Sequence, residues 1–135
     1  MKSYVLDASA LLSFLQGAGG SEKIRELLEH GQQGDASIAM CAVNWGEVYY
    51  ASYRRLDRKQ VEEVRQAVRQ FPISMVSADL RLAEVAAEIK IRHKLAYSDC
   101  FAAALALERH AILVTSDRDF KRIQGRVRIM WVLSH

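Results

Sequence analysis

Cysteine, proline and long apolar runs are all scarce in this chain of 135 residues. Its two cysteines, Cys41 and Cys100, lie far apart in apolar neighbourhoods, with no CxxC and no metal-ligand spacing. That excludes a disulfide framework and predicts two buried free thiols in a reducing compartment. Pro72 is the only proline, and no Gly/Ser/Pro-rich linker, low-complexity tract or internal repeat divides the chain. A single domain over residues 1–135 is the expectation, within the usual ~100–200 residues. No apolar run approaches the roughly 18 residues a membrane helix needs. The N-terminus has one lysine and a short apolar run that meets Asp7, which is not the form of a signal peptide. A cytoplasmic protein is expected. The histidines, His30, His93, His110 and His135, share no ligand-like spacing. Ser9 has no partner His/Asp pattern for a serine hydrolase. Gly17 to Gly20 lacks the Lys-Ser/Thr of a phosphate-binding loop.

Apolar residues in short patterned stretches are plentiful. Half of the residues are hydrophobic and 26% are charged, an ordinary globular balance. A chain of this length buries about two-thirds of its unfolded surface and folds without staples. The net charge of +3 hints mildly at an anionic partner. Residues 3–7 read as a short buried strand, and Ala8–Gln16 as a helix that Gly17 to Gly20 stops. Ser21 suits the N-cap of a second helix striped by Ile24, Leu27 and Leu28. Ser37–Met40 reads as a second strand, followed by a helix from about Asn44 to Leu56. Asp57 caps another, with Val61, Val64, Val68 and Phe71 at helical spacing before Pro72 ends it. Ile73–Val76 is a third strand and Asp79–Lys94 a long helix. Ser98 reads as the cap of a helix over Asp99–Arg109, apolar on every side in its middle and therefore buried. Ala111–Thr115 is a fourth strand, and Arg126–Leu133 holds a fifth. Short apolar strands alternating with helices imply an α/β fold with a parallel sheet covered on both faces.

Four acids stand at the ends of these elements: Asp7, Glu47, Asp99 and Asp117. Each has an ordinary structural explanation. Asp7 can cap the helix that follows, and Asn44-Trp45-Gly46-Glu47 resembles a capping box. Asp99 suits a helix N-terminus, and Asp117 and Asp119 suit a turn. If the first strand lies beside the fourth, however, all four acids fall near the carboxyl edge of one sheet, where open α/β sheets bind ligands. Two carboxylates about 4 Å apart repel by about 4 kcal/mol at an effective dielectric near 20. A hard divalent cation relieves that repulsion, and Mg²⁺ or Mn²⁺ fits an all-carboxylate site without His or Cys. Such an ion activates water and stabilises charge building on a phosphate.

Four segments carry a family resemblance: Val5-Leu6-Asp7-Ala8-Ser9, Ala42-Val43-Asn44-Trp45-Gly46-Glu47-Val48, Ser98-Asp99-Cys100-Phe101-Ala102-Ala103-Ala104 and Leu113-Val114-Thr115-Ser116-Asp117-Arg118-Asp119-Phe120. In order and spacing, over nearly the whole chain, it resembles the PIN-domain ribonucleases, especially the VapC-type toxins of toxin–antitoxin pairs. The resemblance implies a three-layer α/β/α sandwich with a parallel five-stranded sheet, an acidic Mg²⁺ site and cleavage of RNA by metal-activated water. By matching position it makes Asp7 and Asp99 the main metal ligands. Glu47 and Asp117 complete the site, with Asp119 an extra candidate. Ser9, Thr115 and Ser116 become candidates for orienting the acids. It also implies a small antitoxin partner with an Arg-bearing segment, and a homodimer. Trp45 departs from the pattern, being bulky where such chains often carry a smaller apolar residue.

Three basic clusters complete the reading: Arg54, Arg55, Arg58 and Lys59; Lys90, Arg92, His93 and Lys94; and Arg118, Lys121, Arg122, Arg126 and Arg128. Each fits a solvated surface, and the third also fits phosphate contacts near Asp117. A receiver-type signalling domain would need an Asp after the third strand and a Lys after the last, and Ser77-Ala78 follows the third. An aspartyl phosphatase would need Asp-x-Asp where this chain has Asp7-Ala8-Ser9. The remaining alternative is the same fold used for RNA processing or RNA binding without a toxin role.

Overall fold

The computed structural model describes residues 1–133; Ser134 and His135, the last of the four histidines, lie outside the described residues. Five strands form one all-parallel sheet. They are β1 (Lys2–Leu6), β2 (Ala36–Cys41), β3 (Ser74–Val76), β4 (Ile112–Thr115) and β5 (Ile129–Trp131), in the order β3-β2-β1-β4-β5. β1 therefore lies between β2 and β4, and the strand order reverses at β1, with β4 on its other side.

Alternation within the strands sends successive side chains to opposite faces. Val5, Ala39 and Leu113 face one core, shared with Leu82, Ala86 and Ile89 of α5 (Leu80–His93) and with the alanine-rich middle of α6 (Tyr97–Arg109). Phe120 and Ile123, from a 3-10 helix over Arg118–Ile123, close that core. Leu6, Ile38 and Val114 face the other way, against Ala10 of α1 (Ala8–Leu15) and Ile24, Leu27 and Leu28 of α2 (Ser21–Gln33). On the same side Leu11 and Met40 pack with Val48 of α3 (Ala42–Ser52) and Val68 of α4 (Arg58–Arg69). The result is the expected α/β/α arrangement, with helices on both faces of a parallel five-stranded sheet. Among the described residues no helix is long and apolar enough to cross a membrane. Cys41 and Cys100 are both buried and free.

Three helix starts differ from expectation. Gly20, at φ +88°, takes the N-cap position that suited Ser21. α3 begins at Ala42, so Asn44 lies inside its first turn rather than capping it. α6 begins at Tyr97 with Ala96 at the cap, which places Ser98 inside the helix too. In the last two cases a side chain free of capping duty turns to another element.

Candidate metal centre

Asp7 is the joint between β1 and α1. Its backbone N–H extends the ladder to Val114 O at 3.2 Å, and its side chain accepts from Ala10 N at 2.9 Å, capping α1. Capping and site-building are thus not alternatives here. The carboxylate is 2% exposed and held by further donors. Ser9 Oγ reaches Oδ1 at 2.8 Å and Oδ2 at 3.0 Å, and the Thr115 hydroxyl donates to Oδ2. Thr115, fully buried at the end of β4, accepts in turn from Asp117 N at 2.9 Å. Ser9 Oγ accepts from Ser116 N at 3.0 Å. The ends of β1 and β4 are therefore tied together by hydroxyl relays, which fix Asp7 relative to the Asp117 backbone.

Asp117 caps the 3-10 helix by accepting from Asp119 N at 2.9 Å. That short turn brings Asp119 around to the same place. Oxygens of Asp99, Asp117 and Asp119 all lie within 4.8 Å of one another. Asp119, an outlying candidate from sequence, belongs to the tightest part of the cluster.

Glu47 is held from two sides. Asn44 Nδ2 donates to Oε1 at 3.2 Å, and Ser98 Oγ donates to Oε2 at 2.9 Å. Asn44 Nδ2 also donates to the Ser98 carbonyl at 3.0 Å, fastening the first turn of α3 to the first turn of α6. Sequence reading missed both roles, having assigned Asn44 and Ser98 to capping. A signal for Asn44 was available. It is a polar residue in an otherwise apolar stretch, Ala42-Val43-Asn44-Trp45, and a fully buried polar group needs partners.

Asp99 sits where the fields of the others meet. Burial raises its carboxyl first, and Asp117, Asp7, Glu47 and Asp119 each raise it further, to about 7. None of these leading influences is a hydrogen bond that would stabilise the charged form. Asp7 rises to about 6, mainly through burial, against the opposing donors Thr115, Ala10 and Ser9. The protein alone thus under-compensates its negative charge. The donor set is all oxygen, with no His or Cys in the cluster, and suits a hard divalent cation. The structure brings Asp99, Asp117 and Asp119 into one close trio with Asp7 and Glu47 around it: Asp7 is tied to the Asp117 backbone through Thr115, and both Asp7 and Glu47 act electrostatically on Asp99.

The comparisons agree with this fold. A toxin–antitoxin complex from Klebsiella pneumoniae is similar in structure, with TM-score 0.75 and 18% identity, covering 98% of this chain and 99% of that one. A DNA-bound VapBC from Salmonella typhimurium gives 0.75 and 18%, covering 98% of this chain and 100% of that one. A Mycobacterium tuberculosis VapC toxin described as cleaving the sarcin–ricin loop gives 0.69 and 15%, covering 87% and 92%. Curated protein sequences give no match. At these identities the structural likenesses speak for the fold alone. The sequence itself matches the PIN domain over residues 4–126. Sheet order, the acids at the carboxyl edge and that match together give one conclusion: the chain belongs to the PIN domain family.

Proposed function

We propose that this protein is a metal-dependent endoribonuclease and the toxin of a toxin–antitoxin pair. The observation that carries the reading is the convergence of Asp7, Glu47, Asp99, Asp117 and Asp119 around a carboxyl, Asp99, that lacks compensating donors. Asp7, Asp99, Glu47 and Asp117 are the proposed metal ligands, with Asp119 alongside them and Mg²⁺ or Mn²⁺ as the ion. When bound, the ion neutralises the acids, activates water and stabilises charge that builds on the scissile phosphate.

The chain's own residues do the positioning. Ser9, Thr115 and the Ala10 amide hold Asp7 in one orientation, so little reorganisation is needed when a ligand arrives. Asn44 and Ser98 do the same for Glu47. Arg118, exposed and next to Asp117, is the proposed contact for a phosphate of the RNA backbone. The partner is a small antitoxin whose Arg-bearing segment covers the acids. The solved relatives described as toxin–antitoxin and VapBC complexes support that choice. A homodimer in the cytoplasm is the proposed working form.

The test is cleavage of total RNA with mapped ends. Activity should require added Mg²⁺ and vanish in EDTA. Asp99→Asn and Asp7→Asn should be folded and slower by at least about 100-fold, the upper end of what losing a mere outer-shell partner of a metal ligand costs. Full activity in either variant would remove its residue from the site. No cleavage by the wild type in Mg²⁺ would end the ribonuclease reading.

A further inference from the structure

The first turn of α3 serves two places at once. Asn44 and Glu47, three residues apart, face α6 through Ser98. Trp45 lies on a different side of the helix, against Val68 of α4. There it lines a groove of about 370 Å³ between α4 and the edge strand β3, together with Arg65, Arg69, Ile73 and Met75. The ring is only partly buried. It also begins an aromatic ladder, with Tyr49 at 6.0 Å between ring centroids and Tyr53 a further 5.5 Å on. Arg65 meets Glu62 only at 3.4 Å on an exposed face. Arg69 is exposed and forms no salt bridge among the described residues.

An aromatic face beside cationic side chains matches the chemistry of a single nucleic-acid strand. Bases stack on the ring while phosphates meet the arginines. The location matters as much. Glu47 and Trp45 are two residues apart, about 3 Å along the helix axis. Two helix positions also turn by about 200°, so a strand with one phosphate at the acids has to wrap around the first turn of α3 before it reaches Trp45. Resting on the ribonuclease reading, we propose that the Trp45–Arg65–Arg69 groove is a substrate subsite. It takes a nucleobase and adjoining phosphate of single-stranded RNA a few nucleotides from the cleavage point and contributes to the choice of site. A smaller apolar residue at position 45 would fill the core but offer no stacking face.

The test separates stacking from packing. In EDTA, with Trp131→Phe leaving Trp45 as the only tryptophan, a short mixed-sequence single-stranded RNA is titrated against the full chain. Trp45 emission should fall as RNA binds. Trp45→Phe should bind within about threefold of the parent, whereas Trp45→Leu, apolar but without a ring, should bind about 10-fold or more weakly. Arg69→Gln, on an exposed position where folding is not at stake, should weaken binding several-fold and flatten its salt dependence. In Mg²⁺, the mapped cleavage ends of Trp45→Leu should shift in base preference a few nucleotides from the cut. Unchanged emission, or binding by Trp45→Leu and Arg69→Gln within twofold of the parent, overturns the subsite. That includes the case in which these variants weaken a protein partner instead. Failure of the ribonuclease reading shows separately, as absence of Mg²⁺-dependent cleavage by the wild type.

Discussion

Among the acids, Asp99 differs from its neighbours in what supports it. Asp7 accepts from three residues, Glu47 from two and Asp117 from one. Asp99 has burial and four like charges against it. Replacing it by Asn removes charge without giving up a strong bond, so Asp99→Asn should stabilise the metal-free protein while removing activity. The pH dependence gives the sign. Its folded carboxyl titrates at about 7, and an unfolded Asp at about 4. Between those values the folded state holds more protons than the unfolded state, so wild-type stability falls as pH rises. The variant has no such loss. Its advantage should be near zero at about pH 4, grow through about pH 7 and then level off, at an order of 1–3 kcal/mol after allowance for partial exposure. Thermal denaturation in EDTA across that range measures it, and a constant difference would contradict the assignment.

Asn44 makes the opposite kind of prediction. It is fully buried and bonds both Glu47 and the Ser98 carbonyl. Asn44→Ala should cost about 1–3 kcal/mol, because it removes two hydrogen bonds that a fully buried side chain makes between α3 and α6. It should also slow cleavage about 10- to 100-fold at saturating Mg²⁺ by releasing Glu47. Urea unfolding and single-turnover cleavage read the two effects separately. A loss of stability without loss of rate would make Asn44 structural only.

At the level of elements, the site depends on where helices and strands stop. β1 and β4 end at Leu6 and Thr115, and a relay of hydroxyls joins Asp7, just past β1, to the end of β4. α6 can bring Asp99 close because its middle is Ala102, Ala103, Ala104 and Ala106, all at most 1% exposed. Small side chains let that helix approach the sheet and α5 closely. The far side of the sheet has its own close approach. Gly20 holds φ +88° at the start of α2, and a Cβ there would overlap the Val132 backbone carbonyl. Gly20→Ala combines backbone strain with that clash and should cost about 2 kcal/mol or more. Gly34 also has positive φ, at +85°, but open space around it, so Gly34→Ala should cost about 1 kcal/mol. Chemical denaturation of the pair ranks them, and equal costs would mean that the Val132 contact relaxes freely.

For the whole molecule, acids from four separate stretches of chain are gathered at one edge of the sheet. Ion binding to that folded cluster, but not to the unfolded chain, stabilises by about 2.7 kcal/mol at a hundred times the dissociation constant. The melting temperature should therefore rise with added Mg²⁺ at pH 8, where the acids repel most, and rise much less in Asp99→Asn. A metal-independent melting temperature in the wild type would count against the ligand set.

Sequence by itself determined the elements and their faces. Alternation in β1, helical spacing in α2 and α4, and Asp57 before α4 are local signals, because the hydrogen bonds and side-chain contacts involved span at most a few residues. It also singled out the four acids, since each marks an element boundary. The tertiary structure decided what those boundaries meet. That β1 lies beside β4 depends on how whole crossovers pack, which no short window carries. Asp119 enters the cluster because a 3-10 turn follows Asp117. Asn44 and Ser98 face Glu47 because α3 and α6 start three and two residues earlier than their apparent caps suggested. A helix rotates about 100° per residue, so a shift of two or three positions in its start turns a capping side chain into a partner for another element.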